Sequence, residues 1–350
     1  MKITWINPAP IIGTNENRTS ERVCVRLRSM LPGDELRRRG HDVEQVFFHE
    51  LPERLRDQRF LQRDVFVFGK AFHDFSPLIN AIHASTQARV LIDICDNVFA
   101  PPEDGLKSVY LAMLPLADAI VASSDTLAVV MQDKISPGAM LFSIPDAVEG
   151  VKADPVFAPN PGLINLLWFG YPNNLPLLEN EIKNLSKLTD IVEVSLTVVT
   201  AWLDQAAPPQ TIIDGIRVRY RQWSQQVMKY ALKACDIVVI PSDNSPSRIT
   251  KTANRIITAL WGGKFVAAYP LPSYQPFQPF AQIDRDLVAG IRSALENQDA
   301  TRERIAMGQQ YIQDHHAPKI IADAWEHALK RTKEMTPDRK FSTQPIKSST

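Results

Sequence analysis

Cysteine is scarce: Cys24, Cys95 and Cys235 are far apart and odd in number among 350 residues. Each sits in or beside an apolar segment, which points to buried reduced thiols rather than a disulfide frame or a zinc site. Neither sign of charge is in excess, since 39 Lys and Arg stand against 39 Asp and Glu. A dedicated nucleic-acid binder would show a basic surplus. No apolar run approaches the ~20 residues of a membrane span. The opening MKITWINPAP turns polar too soon for a signal peptide, so a cytoplasmic protein is expected. Glycine is missing where dinucleotide and phosphate loops need it: the first loop offers only Gly13, and the corresponding loop of the second half only Gly170. Without GxGxxG or GxxxxGK[ST], the dehydrogenase and P-loop readings fall away. HExxH, CxxC and GxSxG are absent too, and His315-His316 reads as a polar hinge between two helices.

What is present is the make-up of an ordinary globular protein, 45% apolar and 22% charged, long enough that two domains are expected. Short apolar runs at 3–6, 43–48, 65–68, 90–94, 119–122 and 140–144 alternate with helical patterns at 21–39, 75–86, 106–116 and 126–134. Pro32-Gly33 should kink or split the first helix. Near-continuous apolar strands alternating with helices imply a parallel sheet covered on both faces. Residues 145–164, rich in proline, read as an inter-domain linker. The rhythm then restarts, with strands at 165–169, 192–199, 216–220, 236–240 and 264–269 and helices at 177–188, 225–233 and 250–260. Three helices close the pattern, and a polar tail from Thr336 is expected to be disordered. The fold class is therefore α/β, with two doubly wound, Rossmann-like domains at 1–150 and 151–318.

The stretch from Ala234 to Tyr274, ACDIVVIPSDNSPSRITKTANRIITALWGGKFVAAYPLPSY, is the most informative. Strand, polar loop, helix and strand make a βαβ unit, whose functional edge lies beyond the strand's carboxyl end. Its loop and first helical turn hold Ser242, Ser247, Arg248, Lys251, Asn254 and Arg255. In a helix starting near Thr250, Lys251 and Asn254 are three apart and share a face. Cations at a helix N-terminus are opposed by the dipole, so an anion, such as a diphosphate, would explain them.

The pattern K-x-x-N-R-I-x-x-A-L-x-x-G-K-x-V-A, preceded by D-I-V-V-I-P-S and followed by P-x-P-x-Y, resembles the donor-binding segment of GT-B glycosyltransferases, GT4-like group. Leu166-Leu167-Trp168-Phe169-Gly170 with Asn173-Asn174 is similar to the strand and loop that open the C-terminal domain of such enzymes, and Trp223-Ser224 stands where they contact the donor base. Ser20, Arg22 and Gly40-His41-Asp42-Val43 fit the opening of their N-terminal domain. The resemblance implies the GT-B fold and sugar transfer from a nucleotide-sugar donor to a glycan or lipid-linked acceptor, as in bacterial surface-polysaccharide synthesis. It further implies no metal or other cofactor. Donor binding would fall to Gly170, Tyr171, Asn173, Asn174, Thr200, Trp223, Ser242, Arg248, Lys251, Asn254 and Arg255. Typical members carry two glutamates where Thr250 and Thr258 stand here. Two other readings stay open, a nucleotide-sugar 2-epimerase, which shares the two-domain fold, and a non-catalytic nucleotide-sugar-binding protein, which that departure favours. The resemblance also suggests that the last helix, 319–335, crosses back to the first domain.

On the acceptor side, the carboxyl ends of the first domain's strands present Gly13, Asn15, Glu16, His73 and Asp96. An inverting transfer needs a general base on the acceptor hydroxyl, and Asp96, His73 and Glu16 are the candidates, in that order. The arginine-rich helix, with Arg22, Arg26, Arg28 and Arg37 to Arg39, reads first as a solvated basic face and second as a peripheral contact with anionic lipid.

Overall fold

Apolar side chains alternate along the first strands and so face two different layers. In the computed structural model, which describes residues 1–14, 17–101, 105–201 and 210–335, β1 (Lys2–Asn7), β2 (Asp42–Phe47), β3 (Val65–Gly69), β4 (Arg89–Ile94), β5 (Ala119–Ala122) and β6 (Met140–Ser143) form one parallel sheet in the order β2-β1-β3-β4-β5-β6. Phe66, Phe68, Val90 and Ile92 pack on one face against α3 (Ser76–Ser85), α4 (Leu106–Met113) and α5 (Asp125–Met131). Ile3, Trp5, Val65, Val67 and Leu91 pack on the other, against Leu36 of α1 (Leu31–Arg38). A short α2 (Leu51–Arg54), which the periodicity does not show, follows β2. The helix before β2 is not broken at Pro32. Val25–Met30 winds as a π-helix, with Leu31 N–H donating to Arg26 O, and runs straight into α1. Pro32 then falls in the first turn of α1, where its missing N–H is not needed.

The second sheet has the order β13-β12-β11-β7-β8-β10-β9. Its strands are β7 (Leu163–Phe169), β8 (Glu193–Thr200), β9 (Thr211–Ile213), β10 (Ile216–Gln222), β11 (Ile237–Ile240), β12 (Phe265–Ala268) and β13 (Gln282–Ile283), parallel except for β9 against β10. Its helices are α6 (Leu175–Leu185), α7 (Gln225–Ala234), α8 (Asn254–Trp261), α9 (Leu287–Glu296) and α10 (Gln298–His315). The last helix, α11 (Pro318–Lys333), lies on the first sheet, where Ile321, Trp325, Ala328 and Leu329 join its core. Trp325 meets Trp5 edge-on at 4.7 Å. Asn15, Glu16 and the tail from Thr336 lie outside the described residues.

Residues 145–162 contain no helix or strand, yet they are no free linker. The segment is strapped to the second domain by Ala153 N–H to Trp261 O (3.0 Å), Val156 N–H to Gly263 O (3.1 Å), Trp261 Nε1 to Gly150 O (3.0 Å) and Gln309 Nε2 to Ala153 O (2.7 Å). Its many prolines suit such a chain, because a backbone bonded along one side can spare donors elsewhere.

Candidate functional site

The strand orders set where a ligand can bind. In open α/β sheets the crevice lies beyond the carboxyl ends of the strands where the order reverses. In the first sheet that point falls between β1 and β3, and in the second between β7 and β11. Around the second point stand the loop after β7, with Gly170, Tyr171, Asn173 and Asn174, and residues 241–253 after β11. Gly170 packs closely: a Cβ there would lie 3.1 Å from the buried Trp168 ring. The two loops are tied together, since Arg248 Nη1 donates to Asn174 Oδ1 and Nη2 to Asn173 O at 3.3 Å.

The helix predicted from Thr250 begins instead at Asn254. Residues 245–251 are spent on turns, with Arg248 N–H to Ser245 O at 2.8 Å and Lys251 N–H to Arg248 O at 3.0 Å. Lys251 and Asn254 therefore do not share a helical face, and Lys251 lies in the loop. Thr250 is buried, its carbonyl accepting from Ser124 Oγ of the first domain at 2.8 Å. The N-cap residue of α8 is Ala253, and no side chain caps the helix, so its first N–H groups keep their pull on negative charge. Beside it, Arg255 Nη1 and Ser242 Oγ are buried with no hydrogen-bond partner among the described residues. Burial lowers the pKa of the Arg248 guanidinium, and the charge of Arg255 adds to that lowering. Arg248 and Arg255 are thus cations close enough to repel each other, and the Asp243 carboxylate of the same loop acts against that repulsion on Arg248.

A second carboxylate comes from the other domain. Asp96, just after β4, accepts from Lys251 Nζ on Oδ1 and from Lys70 Nζ on Oδ2 at 2.6 Å. Burial would raise the Asp96 carboxyl, but the two ammonium groups outweigh it and hold it well below the usual carboxylate range. Burial likewise opposes the charge on Lys70, and Asp96 reverses the effect and raises its pKa. Asp96 stands here between the two ammonium groups as their shared counter-ion. His73 lies exposed in an aromatic cluster, its ring 4.4 Å from that of Phe48, with His49 and Phe75 nearby. The third base candidate, Glu16, and with it Asn15, falls outside the described residues. Gly13 holds φ +82°, and a Cβ there would lie 2.4 Å from Asn17 O, so glycine is required for this turn.

Trp223 and Thr200 lie together, Trp223 N–H donating to Thr200 O at 2.9 Å. Arg26 of the first domain covers the Trp223 ring at 5.7 Å. Several arginines of the first helix are paired within the molecule. Arg28, fully buried, makes a bidentate pair with Asp93 and reaches Asp146 Oδ1 at 3.1 Å. Arg26 pairs with Glu149 at 2.7 Å, and Arg39 with Asp323 at 2.6 Å and Glu326 at 2.9 Å. Arg22 and Arg38 stay exposed, the latter beside Glu35. No helix among the described residues is long and apolar enough to cross a membrane.

Two features of the site are not legible in the sequence. Lys70 follows β3 as a lone lysine without a motif, although its φ of +32° marks a strained position. The Arg28–Asp93–Asp146 cluster joins residues far apart in the chain and continues through Thr252 Oγ1, which donates to Asp146 Oδ2 at 2.7 Å.

No family model matches the chain, and no curated protein matches it by sequence. Solved structures do. HepE from Anabaena, in complex with UDP, is similar at 12% identity and a TM-score of 0.64 over 95% of this chain and 100% of that one. Sucrose-phosphate synthase from Thermosynechococcus elongatus matches at 14% identity and 0.62 over 94% of this chain and 98% of that one. An alpha-glucosyltransferase in complex with UDP-glucose and DNA containing an abasic site matches at 10% identity and 0.64 over 94% and 98%. Such identities carry the fold: the chain has the GT-B architecture, two Rossmann-like domains facing a central cleft.

Proposed function

We propose that the protein transfers a sugar from a nucleotide-sugar donor, holding the donor diphosphate at the start of α8. The observation that carries this is the pair of buried, unpartnered donors, Arg255 Nη1 and Ser242 Oγ, beside an uncapped helix N-terminus. Buried polar groups are almost always hydrogen-bonded, and a diphosphate supplies acceptors to both, as well as to Lys251 and Arg248. The similar structures support the reading: HepE has been captured with UDP, with UDP and glucose, and with UDP-glucose.

The nucleotide base would lie by Trp223, Thr200 and the Gly170–Asn174 loop. Fixed cations neutralise the charge that develops on the leaving nucleotide, which is the largest electrostatic contribution open to this site. The acceptor, a glycan or lipid-linked glycan as the sequence resemblance implies, would enter beyond β1 and β3, near Gly13 and Lys70. Closure of the two domains excludes water, which otherwise competes as acceptor.

Calorimetric titration with UDP and UDP-glucose tests the site. Each charge-assisted contact is worth about 1.5–3 kcal/mol, so Lys251→Ala and Arg255→Met should each weaken binding by roughly 10- to 100-fold. Acceptor-free donor hydrolysis should fall in parallel. Undiminished binding in both variants would falsify the assignment, and an epimerised nucleotide sugar as product would replace transfer by epimerisation.

A further inference from the structure

The donor loop is already engaged, by the opposite domain. Asp96 bridges Lys251 and Lys70, one ammonium from each side of the cleft. Three more hydrogen bonds join the first domain and the same loop. Asn97 Nδ2 donates to Pro246 O at 3.2 Å, Ser124 Oγ to Thr250 O at 2.8 Å, and Thr252 Oγ1 to Asp146 Oδ2 at 2.7 Å. Asn97 is the neighbour of Asp96, so the end of β4 meets the loop at consecutive residues. The ammonium of Lys251 is thus committed to a carboxylate, while Arg255 Nη1 and Ser242 Oγ stay unpartnered. A diphosphate that satisfies those two brings its own charge towards Asp96. Two anions cannot both approach Lys251 closely without repelling each other.

We propose that Asp96 is a built-in competitor of the donor diphosphate, an anion on the first domain that occupies Lys251 and latches the cleft shut while the donor site is empty. Donor binding passes Lys251 from Asp96 to the diphosphate, and Asp96 stays with Lys70. Lys70 is held for this task in a left-handed backbone conformation at the end of β3. The latch rests on the reading of Lys251 as a diphosphate ligand. Its consequence is that the empty protein is the less binding-competent state, so the apparent affinity is reduced by the latched fraction.

The test is UDP titration of the full chain, repeated with inorganic pyrophosphate to remove the base. Asp96→Asn keeps the size of the side chain and removes the competing charge, and it should bind both probes about 5- to 10-fold more tightly than the parent chain. Asp96→Ser should change affinity in the same direction, which guards against a folding defect peculiar to one variant. Lys70→Met leaves Asp96 to Lys251 alone and should weaken binding. If Asp96→Asn and Asp96→Ser bind less tightly or unchanged while Lys251→Ala still loses binding, the donor site stands and the latch falls. If neither probe binds the parent chain or Asp96→Asn, both readings fall together.

Discussion

Arg28 shows how a charged residue can be core. Its side chain is 1% exposed, and those of its partners Asp93 and Asp146 are 2% and 8% exposed. Removing one member of a buried ion pair strands the rest and costs about 3–5 kcal/mol. Arg28→Met should therefore lower the unfolding free energy by that amount at neutral pH, read from denaturant midpoints. Burial raises the Asp93 carboxyl even with Arg28 in place. A carboxyl raised on folding contributes stability below its unfolded pKa and loses it as pH rises through the folded value. The deficit of Arg28→Met should accordingly shrink in acid. In the sequence, Arg28 is one of several arginines on a helix whose apolar face is easily read. The π-helical turn is buried all round, between the sheet on one side and the segment near Glu149 and Trp223 on the other. Periodicity assigns arginines to solvent and has no means of seeing a partner 65 positions away.

At the scale of elements, the central strands β3, β4, β5, β11 and β12 were legible because they are buried on both faces and read as short apolar runs. Thr211–Ile213 and Gln282–Ile283 were not, being edge strands too short to carry a pattern. The loop after β11 stands out by its surplus of cations, while the true start of α8 is hidden because Thr250 gives its backbone to turns and to Ser124. Gly262-Gly263 follows that helix, and the second glycine is demanded by more than the helix end. Gly263 sits at φ +74°, and a Cβ there would lie 2.0 Å from Asp154 O of the strap. Conformation alone costs a substituted residue about 1–3 kcal/mol, and the contact adds to it. Gly263→Ala should lose more than Gly40→Ala, whose Cβ meets nothing within 4 Å although its φ is +85°. Equal losses in thermal melts of the two variants would show that the strap does not constrain the turn.

The whole molecule is joined twice, by the strap leaving β6 and by the turn from α10 into α11, and the two crossings touch. Val148 N–H donates to His316 O at 2.7 Å, and His316 Nδ1 to Asp146 O at 3.1 Å. The second bond requires the proton on Nδ1, leaving Nε2 bare in a neutral ring packed near Phe277 and Tyr311. Burial is the main cause that depresses the His316 pKa, and His315 adds to it against the pull of Asp146. A histidine whose pKa falls on folding is held neutral while the unfolded chain takes up a proton. Its contribution is full above the unfolded value of about 6.5 and is lost as pH drops through the folded one. The same Asp146 receives Arg28 from the first domain and Thr252 from the loop after β11, so protonation strains the junction through which both domains are held. Scanning calorimetry between pH 7.5 and 5.5 should show the melting temperature fall, and His316→Gln should flatten that slope. Each domain has its own apolar core, and the acid loss should therefore appear as two separating transitions. A single transition with an unaltered slope in His316→Gln would mean that the junction does not depend on this imidazole.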